Sequence, residues 1–137
     1  MFGMFEKTEK YFWFVLRVIA GFLFFMHGAG KLGWYGNGSV AGFAGAFGFP
    51  IWLAYIATFI ELIGGLLILL GLFTRIAALL GGLQMIVALI IAHFPKGWNP
   101  LANGGELALL YLVLWLVFLA KGAGIWGLEK ALFKKEC

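Results

Sequence analysis

Thr58-Phe59-Ile60-Glu61-Leu62-Ile63-Gly64-Gly65 sets a single carboxylate in the middle of an otherwise apolar run from Ile51 to Leu72. A charge at bilayer depth costs at least ~2.5 kcal/mol on insertion scales, so a residue of this kind marks a functional site by default and needs a partner inside the protein. The first question is therefore whether the run spans a membrane. The second is which groups surround Glu61.

Composition answers the first. The chain has 137 residues, of which 64% are hydrophobic and 12% charged, whereas soluble domains carry about half apolar and a quarter charged residues. That mix is an integral membrane protein. At ~20 residues per span the length allows one domain of at most four helices, so the fold class expected is all-α, a polytopic four-transmembrane-helix bundle. The net charge of +4 does not point to nucleic acid, because the basic residues sit in the tails and at the ends of apolar runs, where they encode membrane orientation. The one cysteine is Cys137, which excludes an intrachain disulfide, a CxxC motif and a cysteine metal cluster. The apolar run that starts near Tyr11 is longer than a signal-peptide core and lacks an A-x-A-like cleavage site, so it reads as a retained helix.

Hydrophobic runs and their punctuation place helices at about 12–32, 51–71, 75–94 and 104–120. These lie in a membrane domain 11–121, between cytoplasmic tails 1–10 and 122–137. Residues 33–49, rich in glycine and aromatics, suggest a short interfacial or re-entrant segment. Pro50 suits the first turn of the second helix. Gly71 is placed to end that helix and Thr74 to N-cap the next. Lys7, Lys10, Arg17, Arg75, Lys121, Lys130, Lys134 and Lys135 fall on one side and only Lys31 and Lys96 on the other. The positive-inside rule then puts both termini in the cytoplasm, N-in and C-in, with Arg17 snorkelling to the inner headgroups.

In this topology His27, Lys31, His93 and Glu106 come within roughly 10 Å of the outer boundary, and Glu61 and Gln84 lie roughly 15 Å deep at 1.5 Å per residue. The outer half of the bundle is polar inside and the inner half is apolar. His27 and Lys31, four apart, share a helix face. Glu61 reads either as a buried acid that holds a ligand or passes protons, or as a packing group bonded to Gln84 or Thr58. Gln84 and His93, nine apart, point to opposite faces of one helix. The histidines suit proton relay, metal binding or simple bonds to carbonyls. The Glu-x-x-His pair of di-metal bundles is absent, and no metal is assigned. Glu106 is either a site residue or the N3 glutamate of a capping box with Asn103.

Leu16-Arg17-Val18, Phe24-Phe25-Met26-His27-Gly28-x-x-Lys31-Leu32, Gly48-Phe49-Pro50, Glu61-Leu62-x-Gly64-Gly65-Leu66, Gly71-Leu72-Phe73-Thr74-Arg75, His93, Gly105-Glu106 and Gly122-x-Gly124, in that order, resemble the DoxX family from Leu16 to Leu128. The chain departs from the family where Ser-Leu-Asp is usual and Gly127-Leu128-Glu129 stands here. The resemblance implies a small four-helix protein of the bacterial or archaeal inner membrane. Its relatives include the membrane subunit of thiosulfate:quinone oxidoreductase and a component of a membrane oxidoreductase complex linked to thiol and oxidative stress.

The function expected is a small membrane subunit of an oxidoreductase system that binds a quinone or similar lipophilic ligand in the outer polar pocket. Glu61, His27 and Lys31 stand at its centre, with His93 and Glu106 near the entrance. No covalent cofactor is expected, because the chain has no flavin motif, haem site or cysteine pair. The partners expected are the lipid bilayer, a redox partner subunit and further copies of the chain, and no nucleic acid. Two other function classes use the same residues: a transport unit for protons or a small solute, and a structural membrane anchor.

Overall fold

The structure, a computed structural model, describes residues 3–135. Cys137 lies outside them. Helix α1 is Gly3–Lys31, α2 is Val40–Phe47, α3 is Ile51–Leu70, α4 is Thr74–Lys96, α5 is Pro100–Asn103, α6 is Glu106–Lys121 and α7 is Leu128–Phe133. Among the described residues there is no strand. Helices α1, α3 and α4 are long and apolar enough to cross a membrane, and α6 adds a fourth, 16-residue apolar helix.

What lets these helices meet is the absence of side chains along two seams. Helix α1 crosses α3 at Gly21, Gly28 and Gly65. A Cβ on Gly28 would stand 2.6 Å from the Leu62 backbone nitrogen, and one on Gly65 would stand 2.7 Å from the Phe25 Cα. Small residues at a crossing bring backbones into van der Waals contact, the main attraction available between helices in lipid. On the other seam α4 packs along α6, and Gly81 leaves room for Trp115. Phe24, Ile68, Trp115 and Phe118 form the buried centre, with the Phe24 ring 4.9 Å from Trp115 and 5.3 Å from Tyr111.

Within residues 33–49 only α2 is helical, capped at one end by Ser39, whose hydroxyl accepts from the Gly42 N–H, and at the other by left-handed Gly48. Gly71 ends α3 in the left-handed conformation, as read from sequence. Thr74 does not cap α4: Phe73 takes the cap position with φ 48, and Thr74 is already helical and buried. A left-handed residue lets the turn from α3 to α4 close within three residues, and the Phe73 ring packs on Phe133.

The terminal segments are structured where the sequence suggested tails. Residues 3–10 continue α1, and Lys121 pairs with Glu9 across the bundle end. Residues 122–133 turn back over the same end. Arg17 is 1% exposed and donates to the carbonyls of Ala123 at 2.6 Å and of Ile125 and Trp126 at 3.1 Å, so it does not snorkel. Its guanidinium instead satisfies carbonyls freed where α6 ends, a use that five fixed donors suit well. The Glu129 N–H completes the clasp by donating to the Gly71 carbonyl.

Gly28→Val should destabilise the protein by about 1–3 kcal/mol or more, through backbone overpacking. Gly45→Ala, where nothing lies within 4 Å, should be neutral or stabilise α2 by up to ~1 kcal/mol. Thermal unfolding in lipid nanodiscs separates the two. Equal loss in both would show that the α1–α3 crossing is not the sensitive seam.

Candidate functional site

Glu61 sits where α3 changes its winding. Residues Ile60–Gly64 form a π-helical turn, in which one extra residue loosens the helix and re-aims the side chain. Such turns occur mostly as single insertions and often at functional sites. A second π turn, Leu89–His93, lies in α4. One extra residue rotates the next part of the helix by about 100°, which brings His93 from opposite Gln84 to roughly a quarter-turn from it, and both line one cavity. The regular spacing predicted opposite faces, and the π turn overturns that expectation.

Both oxygens of Glu61 are engaged. Lys31 Nζ pairs with Oε2, and Gln84 Nε2 donates to Oε1 at 2.8 Å. Thr58 is not a partner, since its hydroxyl donates to the Ala54 carbonyl. The pair is nearly buried, with side chains 14% exposed for Lys31 and 7% for Glu61. In a low dielectric such a pair holds only because each charge faces the other and the remaining lone pairs are bonded. Lys31 also lies over the Phe43 ring of α2, 4.4 Å from its centroid. A single ammonium therefore ties α1 to α2 and α3.

Beside the pair is a cavity of about 460 Å³, walled by Phe24, His27, Glu61, Gln84, His93, Tyr111 and a larger number of apolar side chains. Phe43, Phe47 and Phe49 close it at the α2 end. Helices α3 and α4 pack together from Ile60 inward and part toward Ile51. The cavity wall there includes Ile56, Leu80, Leu83, Val87 and Ile91, which are also exposed on the outside of the bundle. The opening is thus sideways, through an apolar surface.

The cavity holds polar atoms with nothing to bond. Gln84 Oε1 is buried without a partner, since the amide must turn its nitrogen to an acceptor-only carboxylate. The His27 ring meets Tyr111 edge-on at 6.0 Å, and neither makes a hydrogen bond among the described residues. His93 is half-committed, with Nδ1 3.1 Å from the Asn103 carbonyl and its ring against Phe47.

Five of the sequence-derived candidates, Glu61, His27, Lys31, His93 and Gln84, come together around the pair and the cavity. Glu106 does not: it is exposed and is not part of the wall of this cavity. Nor does it form the capping box, because α6 begins one residue after Gly105 and Glu106 is its first residue, not its third. Asn103 instead ends α5, accepts from the Gly105 N–H at 2.7 Å and donates to the Gly97 carbonyl at 2.8 Å. Tyr111 was absent from the sequence-derived set. Its position one turn before Trp115 on an apolar helix gave only a core signal. Among the described residues, no three of His, Cys, Asp and Glu stand together as a metal's ligand set would.

Long apolar helices around a pocket with an intramembrane ion pair define a multi-pass membrane protein embedded in the lipid bilayer. The DoxX family model matches residues 12–94, and the chain belongs to the DoxX family. It is 41% identical over 133 residues to an uncharacterized protein of Haemophilus influenzae, covering 95% of this chain and 97% of that one. It is 35% identical over 120 residues to a Bacillus subtilis protein named "Putative oxidoreductase CatD", covering 88% and 86%. A second uncharacterized H. influenzae protein is 33% identical over 127 residues. No solved structure matches the chain.

Breaking the ion pair from one side should be costly. Lys31→Met strands a carboxylate and should lose about 3–5 kcal/mol, while the double change Lys31→Met with Glu61→Gln should recover most of that. Unfolding of the three proteins in nanodiscs tests this, and equal loss in the single and double variants would show that the charges are not coupled.

Proposed function

We propose that this chain is a small membrane subunit of an oxidoreductase system and that its cavity binds a quinone or quinol. In this reading α6 crosses the membrane with α1, α3 and α4 as a four-helix bundle of a bacterial or archaeal inner membrane, with both termini on the cytoplasmic side. The observation that carries it is the sideways opening. An apolar chamber whose wall includes the exposed Leu83 of α4 and Ile56 of α3 suits a molecule already dissolved in lipid better than a hydrated solute.

The polar wall selects the headgroup. Gln84 Oε1 and the Glu61 carboxylate are acceptors, so a hydroxyl donor such as a quinol satisfies an atom that otherwise stays orphaned at a cost of about 1–3 kcal/mol. His27 and Tyr111 supply donors for a carbonyl oxygen on the other side of the head. Electron transfer to or from a bound carrier belongs to a partner subunit. The name of the B. subtilis relative supports an oxidoreductase setting for this chain.

Decylubiquinone binding to the protein in nanodiscs, read by intrinsic tryptophan fluorescence, is the direct test. Glu61→Gln and His27→Ala should each weaken it about 10-fold or more, the equivalent of at least ~1.4 kcal/mol. Leu83→Trp should slow entry by narrowing the portal. Unchanged binding in both Glu61→Gln and His27→Ala would sink the placement. No binding at all, with solute flux into proteoliposomes that is lost in Glu61→Gln, would replace the reading with a transport unit.

A further inference from the structure

A second hollow of about 370 Å³ lies on the other side of the ion pair, walled by His27, Lys31, Tyr35, Asn37, Ser39 and Phe43 with intervening glycines. It differs from the first in kind. Asn37, Gly38, Ser39 and Gly42 are exposed, and the hollow opens among glycines and hydroxyls rather than among Leu and Ile. Its floor is braced by the Tyr35 hydroxyl, which donates to the Met26 carbonyl.

The two hollows share His27 and Phe43 but divide the ion pair between them. Glu61 lines the apolar cavity and not the polar recess, and Lys31 lines the recess and not the cavity. The salt bridge therefore joins a side chain of the apolar cavity to a side chain of the polar recess. We infer that the recess is the proton inlet of the carrier cavity and that Lys31 passes protons from it to Glu61. This rests on the carrier reading above, and deepens it by naming the route.

The step needs no redox chemistry of its own. An N–H bond of the Lys31 ammonium breaks as an O–H bond forms on Glu61 Oε2, leaving a neutral amine and a neutral acid. A hydronium ion in the recess then returns a proton to the amine and leaves as water. The net change is one proton moved from the recess to a carboxyl that faces the cavity, ready to be exchanged with an oxygen of whatever is bound. Groups able to compete for that proton are His27 on α1 and His93 at the end of α4, both on the cavity wall, whereas Tyr111 on α6 and Tyr35 in the recess are neutral phenols that only donate. Only His27 also reaches the recess, so it is the second group through which the two hollows communicate.

The arrangement also explains the choice of lysine. An ammonium can give up a proton and take one back, whereas a guanidinium holds its protons at any accessible pH. Arginine at this position would keep the salt bridge and the attachment to Phe43 but stop the traffic.

Dicyclohexylcarbodiimide, an apolar reagent that adds to protonated carboxyls, reads the state of Glu61 from the lipid side. The experiment uses the full chain in nanodiscs, with Glu61 modification followed by intact and peptide mass spectrometry and Glu61→Gln as the blank. In a Cys137→Ser background, Asn37→Cys is plugged with a bulky water-soluble thiol reagent. The expected results are labelling that follows external pH in the unplugged protein, and a slowing of at least about tenfold both on plugging and in Lys31→Arg. Lys31→Arg should fold as the parent does by thermal unfolding, and the plug needs no folding control because it is added afterwards. Labelling in Lys31→Arg and in the plugged protein that matches the parent in rate and pH response would overturn the inlet. Adding decylubiquinone separates the two claims. Protection of Glu61 without any effect of the plug keeps the carrier and removes the inlet; an effect of the plug without protection keeps the inlet and removes the carrier.

Discussion

The ion pair between Lys31 and Glu61 is the constraint on which the cavity end of this protein depends. A carboxylate in the middle of an apolar helix is tolerated only if a cation is delivered to it, and delivery fixes much else. It sets the register of α1 against α3, which the glycine crossings at Gly21, Gly28 and Gly65 then permit. It holds α2 down through Phe43. It also obliges Gln84 to turn its nitrogen inward, and so leaves the amide oxygen as a buried acceptor without a partner on the cavity wall.

Two local departures from α-helical winding shape the rest of the site. A π turn sacrifices regular hydrogen bonding for a change of direction, and both turns in this chain carry a titratable residue: Glu61 in α3 and His93 in α4. The π turn of α3 stands where α3 and α4 begin to part toward Ile51, beside the chamber.

These departures separate what is legible in the residues from what is not. Helix positions followed from apolar run length and from Gly71, Pro50 and the Pro95–Pro100 stretch, because those signals are local. Glu61, Lys31, His27 and Gln84 could be nominated because a polar group among apolar ones is conspicuous, and the four-residue spacing of His27 and Lys31 is a rule of the α-helix. The expected opposition of Gln84 and His93 came from the same rule applied where it does not hold, and no residue in Leu89–His93 announces the extra turn. Glu106 was misplaced by one short helix, since α5 ends at Asn103 and the left-handed Gly104 resets the start of α6. Arg17 matched the usual behaviour of a cation near a helix end, and only the return of residues 122–133 over that end shows why it is buried.

That return gives Arg17 a place in the order of synthesis. Its carbonyl acceptors lie 106–109 positions later in the chain, so the first helix leaves the ribosome and enters the membrane before the groups that close over its guanidinium have been made. Until Gly122 to Trp126 emerge, the carbonyls that receive the Arg17 guanidinium in the folded protein are not yet made. A chain truncated before Gly122 therefore contains every residue of the cavity yet lacks the carbonyls that hold the Arg17 guanidinium of its first helix.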